Sequence, residues 1–232
     1  MSLDGEFEAE FQRAEGKIRL FPLPNYVPFP GIRQPLHLFE PRYVSLMDDL
    51  MESESSLLSL VVLRPGWKEI YNTKTCPIYP IGVVGMATNV ERLDNGRYNL
   101  LWQGMSRCRV LSEVAHAKEY RLGQLELVLD EMDAGLFGDV QVKSTMAWDL
   151  VEHFKSLRPD LASDSSFAKI VNEKMPLSQL CDLLAFLLKL DQELIYPFLA
   201  EPDIIKRGRN LAELMSLLRP TGSKFPPNFS DN

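Results

Sequence analysis

Residues 20–43 read LFPLPNYVPFPGIRQPLHLFEPRY. Leu, Phe, Tyr, Val and Ile give the stretch the apolar content of a buried strand, yet it also carries Pro22, Pro24, Pro28, Pro30, Pro35 and Pro41. Proline lacks a backbone donor and is expelled from central strands, so this cannot be one continuous ladder. The prolines instead divide an apolar path into short pieces. Pro22 and Pro24 are expected at the end or edge of a first strand that alternates from Lys17 to Leu23. Pro28 and Pro30, before Gly31, break the run so that the chain turns. Pro35 belongs at an edge or bulge, and Pro41, after Glu40, suits the first turn of a helix with Val44, Met47, Leu50 and Met51 on one face.

Further strands follow. Leu57 to Leu63 (LLSLVVL) is an apolar run of strand length, closed by Arg64-Pro65-Gly66. Ile81 to Val90 is another, with Gly82 and Gly85 marking a bulge or close backbone packing. Asp94-Asn95-Gly96 is a hairpin signal, because Asn and Gly tolerate positive φ. The returning segment Arg97 to Gln103 sets Tyr98, Leu100 and Trp102 on one face; Gly104 punctuates it, and strand resumes over Arg107 to Leu111. Leu125, Leu127 and Leu129 alternate last. Five or more strands with turn signals between them point to a small barrel or sandwich.

The second half changes period. Val140, Ala147, Leu150, Val151, Phe154 and Leu157 form a helical stripe ended by Arg158-Pro159, and a short helix is expected around Phe167 to Val171. Leu177 to Leu190 is apolar almost all round, as in the most buried helix of a bundle. Asp191 is placed to cap a short helix that Pro197 distorts, and Ile204, Gly208, Leu211, Met215 and Leu218 mark a last one.

Composition narrows the function. Of the net charge of −7, residues 1–16 hold −4, residues 17–133 hold −1 and residues 134–232 hold −2, so the folded body is nearly neutral and offers no electrostatic footprint for nucleic acid. No apolar run approaches the roughly 20 residues that span a bilayer, and the acidic N-terminus is not a secretory signal, so a cytoplasmic protein is expected. Cys76, Cys108 and Cys181 are widely spaced and read as free thiols, Cys181 as a small core residue.

The order of several segments resembles the N-terminal, substrate-binding domain of the Lon proteases, and more closely the stand-alone bacterial proteins built from that domain alone. Phe21-Pro22-Leu23, Val27, Phe29-Pro30-Gly31, Pro35-Leu36, Phe39-Glu40 and Arg42-Tyr43 carry the likeness, with Ile81-Gly82-Val83-Val84, then Asp94, Gly96 to Leu100, Gly104, Arg107, Arg109 and Val110. LCDLLAFLL at 180–188 is similar to the family's C-terminal helices. The resemblance implies an α+β fold: a PUA-like β-barrel with one inserted helix over residues 17–133, then an α-helical bundle over 134–218. Residues 1–16 are expected to be a flexible acidic N-terminus and 219–232 a disordered tail. The ATPase and Ser-Lys peptidase domains of full Lon proteases have no counterpart here, and no GxxxxGK[ST] loop is present to cradle a nucleotide, so no cofactor is expected.

Candidate chemistry is sparse. Gly104-Met105-Ser106-Arg107-Cys108 resembles a nucleophile elbow without its last Gly, but the elbow needs a strand-turn-helix, and here both flanks read as strand around a turn. His37, His116 and His153 lie far apart without metal-ligand spacing. Asp130, Glu131 and Asp133, where the two halves meet, read as a solvated linker. Arg107 and Arg109 share a strand face by alternation and are the lead for an RNA-binding module. The loop 64–80 holds Arg64, Trp67, Tyr71 and Tyr79; its rings either bind a peptide or partner, as loops on rigid scaffolds do, or fold back as a lid over the barrel. The expected function, from the resemblance, is non-catalytic recognition of unfolded polypeptide or of a protein partner. RNA binding and a hydrolase using Ser106 are the alternatives, and an assembly module a further one; no membrane partner is expected.

Overall fold

The computed structural model describes residues 3–53, 55–131, 140–163, 165–171 and 175–218. Strand β1 (Lys17–Leu23) follows helix α1 (Leu3–Arg13); β2 (Arg33–Leu38), α2 (Pro41–Glu52), β3 (Leu57–Val62), β4 (Ile81–Arg92), β5 (Tyr98–Val114) and β6 (Arg121–Val128) come next. The second half is helical: α3 (Val140–Leu157), the single-turn α4 (Pro159–Ala162), α5 (Ser165–Ile170), α6 (Leu177–Leu188), α7 (Gln192–Ala200) and α8 (Ile204–Leu217). The α+β architecture is thus a sheet-forming half followed by a helical half, and no helix among the described residues is long and apolar enough to cross a membrane.

The sheet closes on itself. β1 pairs parallel with β3 and antiparallel with β6, β6 pairs with β5, β5 with β4, and β4 with β3, which completes a five-stranded ring. Closure removes the open edges that an antiparallel sheet otherwise exposes. β5 serves two neighbours in turn because it is 17 residues long: its first part pairs with β2 and its second with β6. Register shifts at Val84/Gly85 and Val110/Ser112 let it bend.

The prolines fall where this topology tolerates them. Pro22 pairs with Val61 of β3, beyond the reach of β6, whose partners on β1 stop at Leu20. Pro35 lies in β2, which pairs on one side only, with β5. Gly31 turns the chain at φ +76°, and Pro41 opens α2 behind Glu40. In α2 the buried face is Tyr43, Leu46, Met47 and Leu50; Met51, expected there, is exposed.

Two apolar clusters follow from the two faces of the strands. Ile18, Leu20, Leu57, Val61, Val84, Met86, Cys108 and Leu125 fill the barrel. The alternate residues Leu58, Leu60, Val62 and Val83 join α2 and the C-terminal helices in one continuous core, which explains why every residue of β3 is buried. Seven of the twelve residues of α6 are buried, as its all-round apolar sequence requires.

The acidic N-terminus departs from expectation. Residues 3–13 are helical rather than flexible, because Leu3, Phe7 and Phe11 recur at four-residue spacing and Phe7 packs into the barrel cluster. Glu10 anchors the helix: its carboxylate accepts from the Ser55 hydroxyl (2.7 Å), the Ser56 amide (2.6 Å) and the Ser56 hydroxyl (2.7 Å). The tail at 219–232 lies outside the described residues.

Candidate functional site

The 64–80 loop uses most of its aromatic rings internally. Tyr71 donates its phenol to Glu40 (2.8 Å) and accepts from Arg42 on its carbonyl (2.8 Å), while Arg42 and Glu40 form a salt bridge at 2.8 Å. The Arg42 guanidinium also lies 4.7 Å from the Tyr71 ring centre, and Trp67 meets the same ring edge-on at 5.5 Å. Burial raises the Tyr71 phenol, and its bond to Glu40 raises it further, so it stays a neutral donor. At the other end of the loop Tyr79 stacks on Tyr196 of α7 at 4.0 Å, with the Arg64 guanidinium 5.4 Å from the Tyr79 ring centre. The four candidates therefore divide into two pairs. Tyr71 and Tyr79 are committed to the fold, whereas Trp67 is half-exposed and Arg64 exposed.

Arg107 and Arg109 are two residues apart on β5 but have opposite fates. Arg109 is half-exposed and pairs with Glu126 across the strands at 3.1 Å. Arg107 is 3% exposed and reaches into the helical half. It donates to both carboxylate oxygens of Asp182 on α6 and, through Nε, to the Leu199 carbonyl (2.9 Å). Arg207 of α8, fully buried, donates to Asp130 (2.8 Å), which also lies 3.4 Å from Arg107. Burial pushes the Asp182 carboxyl up, and Arg107 and Arg207 oppose it. This cluster joins barrel, α6, α8 and the end of the barrel segment in one knot, so Arg107 offers nothing to a phosphate. Asp130, expected in a solvated linker, is part of the knot. Glu131 is held as well, its amide on the Pro202 carbonyl and its own carbonyl accepting from Ile204; Asp133 lies outside the described residues.

The turn expected around Ser106 is absent, and β5 runs through it without interruption. Gly85 faces Gly104 and Val84 faces Ser106, which leaves Met105 as the extra residue of a bulge. Gly104 is required by packing: a Cβ there would lie 2.5 Å from the Phe29 carbonyl and 3.0 Å from the Trp102 ring. Ser106 donates to its neighbour's carbonyl, Arg107 O, at 3.1 Å, and no strand-turn-helix presents it. His37 contacts Asn99 through Nδ1 at 2.7 Å and His116 packs on Tyr120, so these two imidazoles stay apart.

What the helical half offers is apolar concavity. A groove of about 500 Å³ lies between α3 on one side and Val171, Met175 and Leu180 on the other. Ala147, Val151, Val171, Met175 and Leu180 line it, and Trp148 stands at its wall with 66% of its surface exposed. Lys155 and Glu152, paired at 2.8 Å, give it a polar rim. A second cleft of about 300 Å³ lies where the proline-rich stretch, from Asn25 to Phe29, faces the junction of α6 and α7. Sequence reading missed both. The available signal for the first was a Trp one position off the α3 apolar stripe; for the buried knot it was Asp182, an acid inside an apolar helix, which requires a partner.

Comparison with known proteins agrees with this architecture. The chain is similar to Lon protease 2 of Syntrophobacter fumaroxidans, 27% identical over 131 residues, which cover 56% of this chain and 16% of that protein. It is similar at 27% identity over 176 residues to Lon protease 2 of Sorangium cellulosum, covering 72% of this chain and 20% of that one. The chain thus spans a fifth or less of the length of these relatives. Among solved structures, the N-terminal domain of Mycobacterium avium complex Lon protease superposes with a TM-score of 0.66 at 14% identity, covering 86% of this chain and 98% of that one. The Lon N-terminal domain protein from Xanthomonas campestris gives 0.57 at 20% identity, covering 86% and 97%. These two show the shared fold. The sequence profile of the ATP-dependent protease La (LON) substrate-binding domain matches residues 17–216, nearly the whole barrel and bundle, and the chain belongs to that family.

Proposed function

We propose that this domain recognises polypeptide without acting on it chemically. An extended segment bearing apolar side chains lies in the groove between α3 and the start of α6, with Trp148 as its anchor. The observation that carries this reading is the exposure of Trp148, 66%, on the wall of an apolar groove. An exposed apolar groove rimmed by polar residues marks an interaction site, and Trp is among the residues most enriched where binding energy concentrates. The family's description as a substrate-binding domain supports the same reading. Trp67 and Arg64 are a second contact point, shaped from beneath by Tyr71 and Tyr79. The separated histidines and the strand-bound Ser106 supply no nucleophile–base pair, which is why binding alone is proposed.

The test is a titration of a permanently unfolded, reduced and carboxymethylated model protein against the full chain. Micromolar binding that is insensitive to salt and falls about tenfold in Trp148→Ala is expected, a hot-spot effect of about 1.4 kcal/mol. Absence of binding at high micromolar concentration would overturn the reading, as would tight, salt-sensitive affinity for structured RNA in its place.

A further inference from the structure

Closure of the five-stranded ring leaves β2 outside it. β2 pairs with β5 alone, so one side of Arg33–Leu38 has no neighbouring strand among the described residues. Two bonds fix which backbone groups face that side. Gly104 donates its N–H to the Ile32 carbonyl at 3.0 Å, so Ile32 turns towards β5. The Leu101 carbonyl accepts from the Thr88 hydroxyl of β4 at 2.9 Å, so Leu101, which stands opposite Pro35, turns away from β2. In an antiparallel ladder the N–H and C=O of one residue share a side, and successive residues alternate. The register runs from Arg33 to Leu38 without a shift, so Gln34, Leu36 and Leu38 bond to β5 while Arg33, Pro35 and His37 turn their backbone groups outward. The donor that Pro35 lacks is one that would have faced outward. Its carbonyl is engaged by the Gln34 side-chain amide at 3.1 Å, which leaves the N–H and C=O of Arg33 and of His37 open at two exposed residues.

Spacing sets what fits. Arg33 and His37 stand four residues apart, about 13 Å along a strand, and each offers a donor beside an acceptor. An anion would use the donors and leave the acceptors idle; an apolar ligand would use neither. Another extended main chain repeats the same donor and acceptor pair every second residue and meets both ends at once. The flanking side chains add a charge preference. Exposed Arg33 places its Nε on a neutral acceptor, Gln103 Oε1, at 3.2 Å, and the guanidinium of exposed Arg97 lies 5.9 Å from the Phe39 ring centre. Phe39 follows directly after β2, is exposed, and stacks on His37. Acidic side chains at both ends of an added strand complement these two cations. A second copy of this chain would bring the same cations and the same missing donor at Pro35, and so matches the edge poorly. We propose that the outer edge of β2 takes up an extended polypeptide segment as an added strand, held by the backbone of Arg33 and His37 and favoured by acidic residues facing Arg33 and Arg97. The proposal rests on the polypeptide reading above. It adds a contact made to main chain rather than to particular side chains, which suits recognition of unfolded polypeptide.

Amide-resolved NMR of the full chain, titrated with the capped peptide acetyl-Glu-Val-Thr-Val-Glu-amide, tests it. The backbone amides of Arg33 and His37 are expected to shift and their hydrogen exchange to slow. A series of the peptide methylated on one backbone nitrogen at a time reads the ladder. One alternate set of positions is expected to lose at least about fivefold in affinity and the other to bind as the parent does, since each lost hydrogen bond costs on that order. His37→Pro removes an outward donor but no bond to β5, and is expected to weaken binding by a similar factor while His37→Ala does not. Melting temperatures check that both fold. Pro35→Ala supplies the missing outward donor and is expected to tighten binding, which keeps the test intact if His37→Pro unfolds. Arg33→Glu is expected to weaken this peptide and to favour its counterpart acetyl-Lys-Val-Thr-Val-Lys-amide. Shifts confined to the Trp148 groove would overturn this inference and leave the polypeptide reading standing. No shift with the peptide while the unfolded model protein still binds would do the same, and binding of neither would sink both. Affinity that falls equally at every methylated position would overturn the added strand. Shifts at Arg33 and His37 that grow with protein concentration in the absence of peptide would place a second copy on the edge and overturn it as well.

Discussion

Replacing Asp182 by Asn removes the one fully buried anion from the knot that joins barrel to bundle. Asp182 is 2% exposed and accepts two bonds from Arg107; Arg207 stands 3.7 Å away. The remaining counter-charge is Asp130, which is partly exposed and already shared by both guanidiniums. Breaking a buried pair by deleting one partner costs about 3–5 kcal/mol, because the surviving charge stays out of water uncompensated. For a chain of this size each kcal/mol lowers the melting temperature by about 2–4 °C, so Asp182→Asn should melt about 6–20 °C lower. Arg109→Gln, two residues along the same strand from Arg107, removes only a surface pair with Glu126 and should cost about 1 kcal/mol or less. Arg107→Met combined with Asp182→Leu should recover part of the loss, since it removes the uncompensated Arg107 charge, and only part, since the Leu199 carbonyl then lacks its donor and Arg207 keeps Asp130 alone. Urea and thermal unfolding followed by circular dichroism measure all three. If Asp182→Asn cost no more than Arg109→Gln, the Asp182 carboxyl would be carrying little charge in the folded protein, and the knot would be packing rather than an ion pair.

Three other outcomes are expected. Burial raises the Glu10 carboxyl, but its bonds to Ser56 and Ser55 outweigh that and leave it below the usual 4.5. A lowered folded value means the stabilisation is present above the unfolded value and is lost as pH falls through the folded one, so α1 should detach in acid before the barrel unfolds. NMR signals of Phe7 and Phe11 report this, and their persistence to roughly pH 2 would refute it. Gly104→Ala should cost about 1–3 kcal/mol in urea unfolding, because neither the Phe29 carbonyl nor the Trp102 ring can give way cheaply; a neutral result would mean the β2 entry loop moves freely. Burial pushes the Cys108 thiol to about 11 and the Cys181 thiol to about 12, so neither should react with a disulfide reagent until the protein unfolds; prompt labelling at neutral pH would show that the core opens.

Local pattern decided more of this fold than of its site. The hairpin at Asp94 to Gly96, the β3 run and the α6 core helix were all legible, because each depends on period or turn chemistry within a dozen residues. Misreadings arose where a short local cue met a distant partner. Gly104 looked like a turn, but it is a point of close approach for the Phe29 carbonyl, 75 residues earlier in the chain. The acidic N-terminus looked solvated, yet Ser55 and Ser56 hold Glu10 and the barrel takes Phe7.

The sequence by itself determined the prolines' positions, the succession of strands and then helices, and a family resemblance that the profile match over residues 17–216 bears out. Only the tertiary structure decided that β5 closes the ring with β6 and that Arg107 is buried while Arg109 is exposed. It alone left Trp148 uncovered. The physical reason is one of range. Alternation and backbone restriction act between neighbours and can be read along the chain, whereas burial of a charge or exposure of a ring depends on what other segments bring to that place.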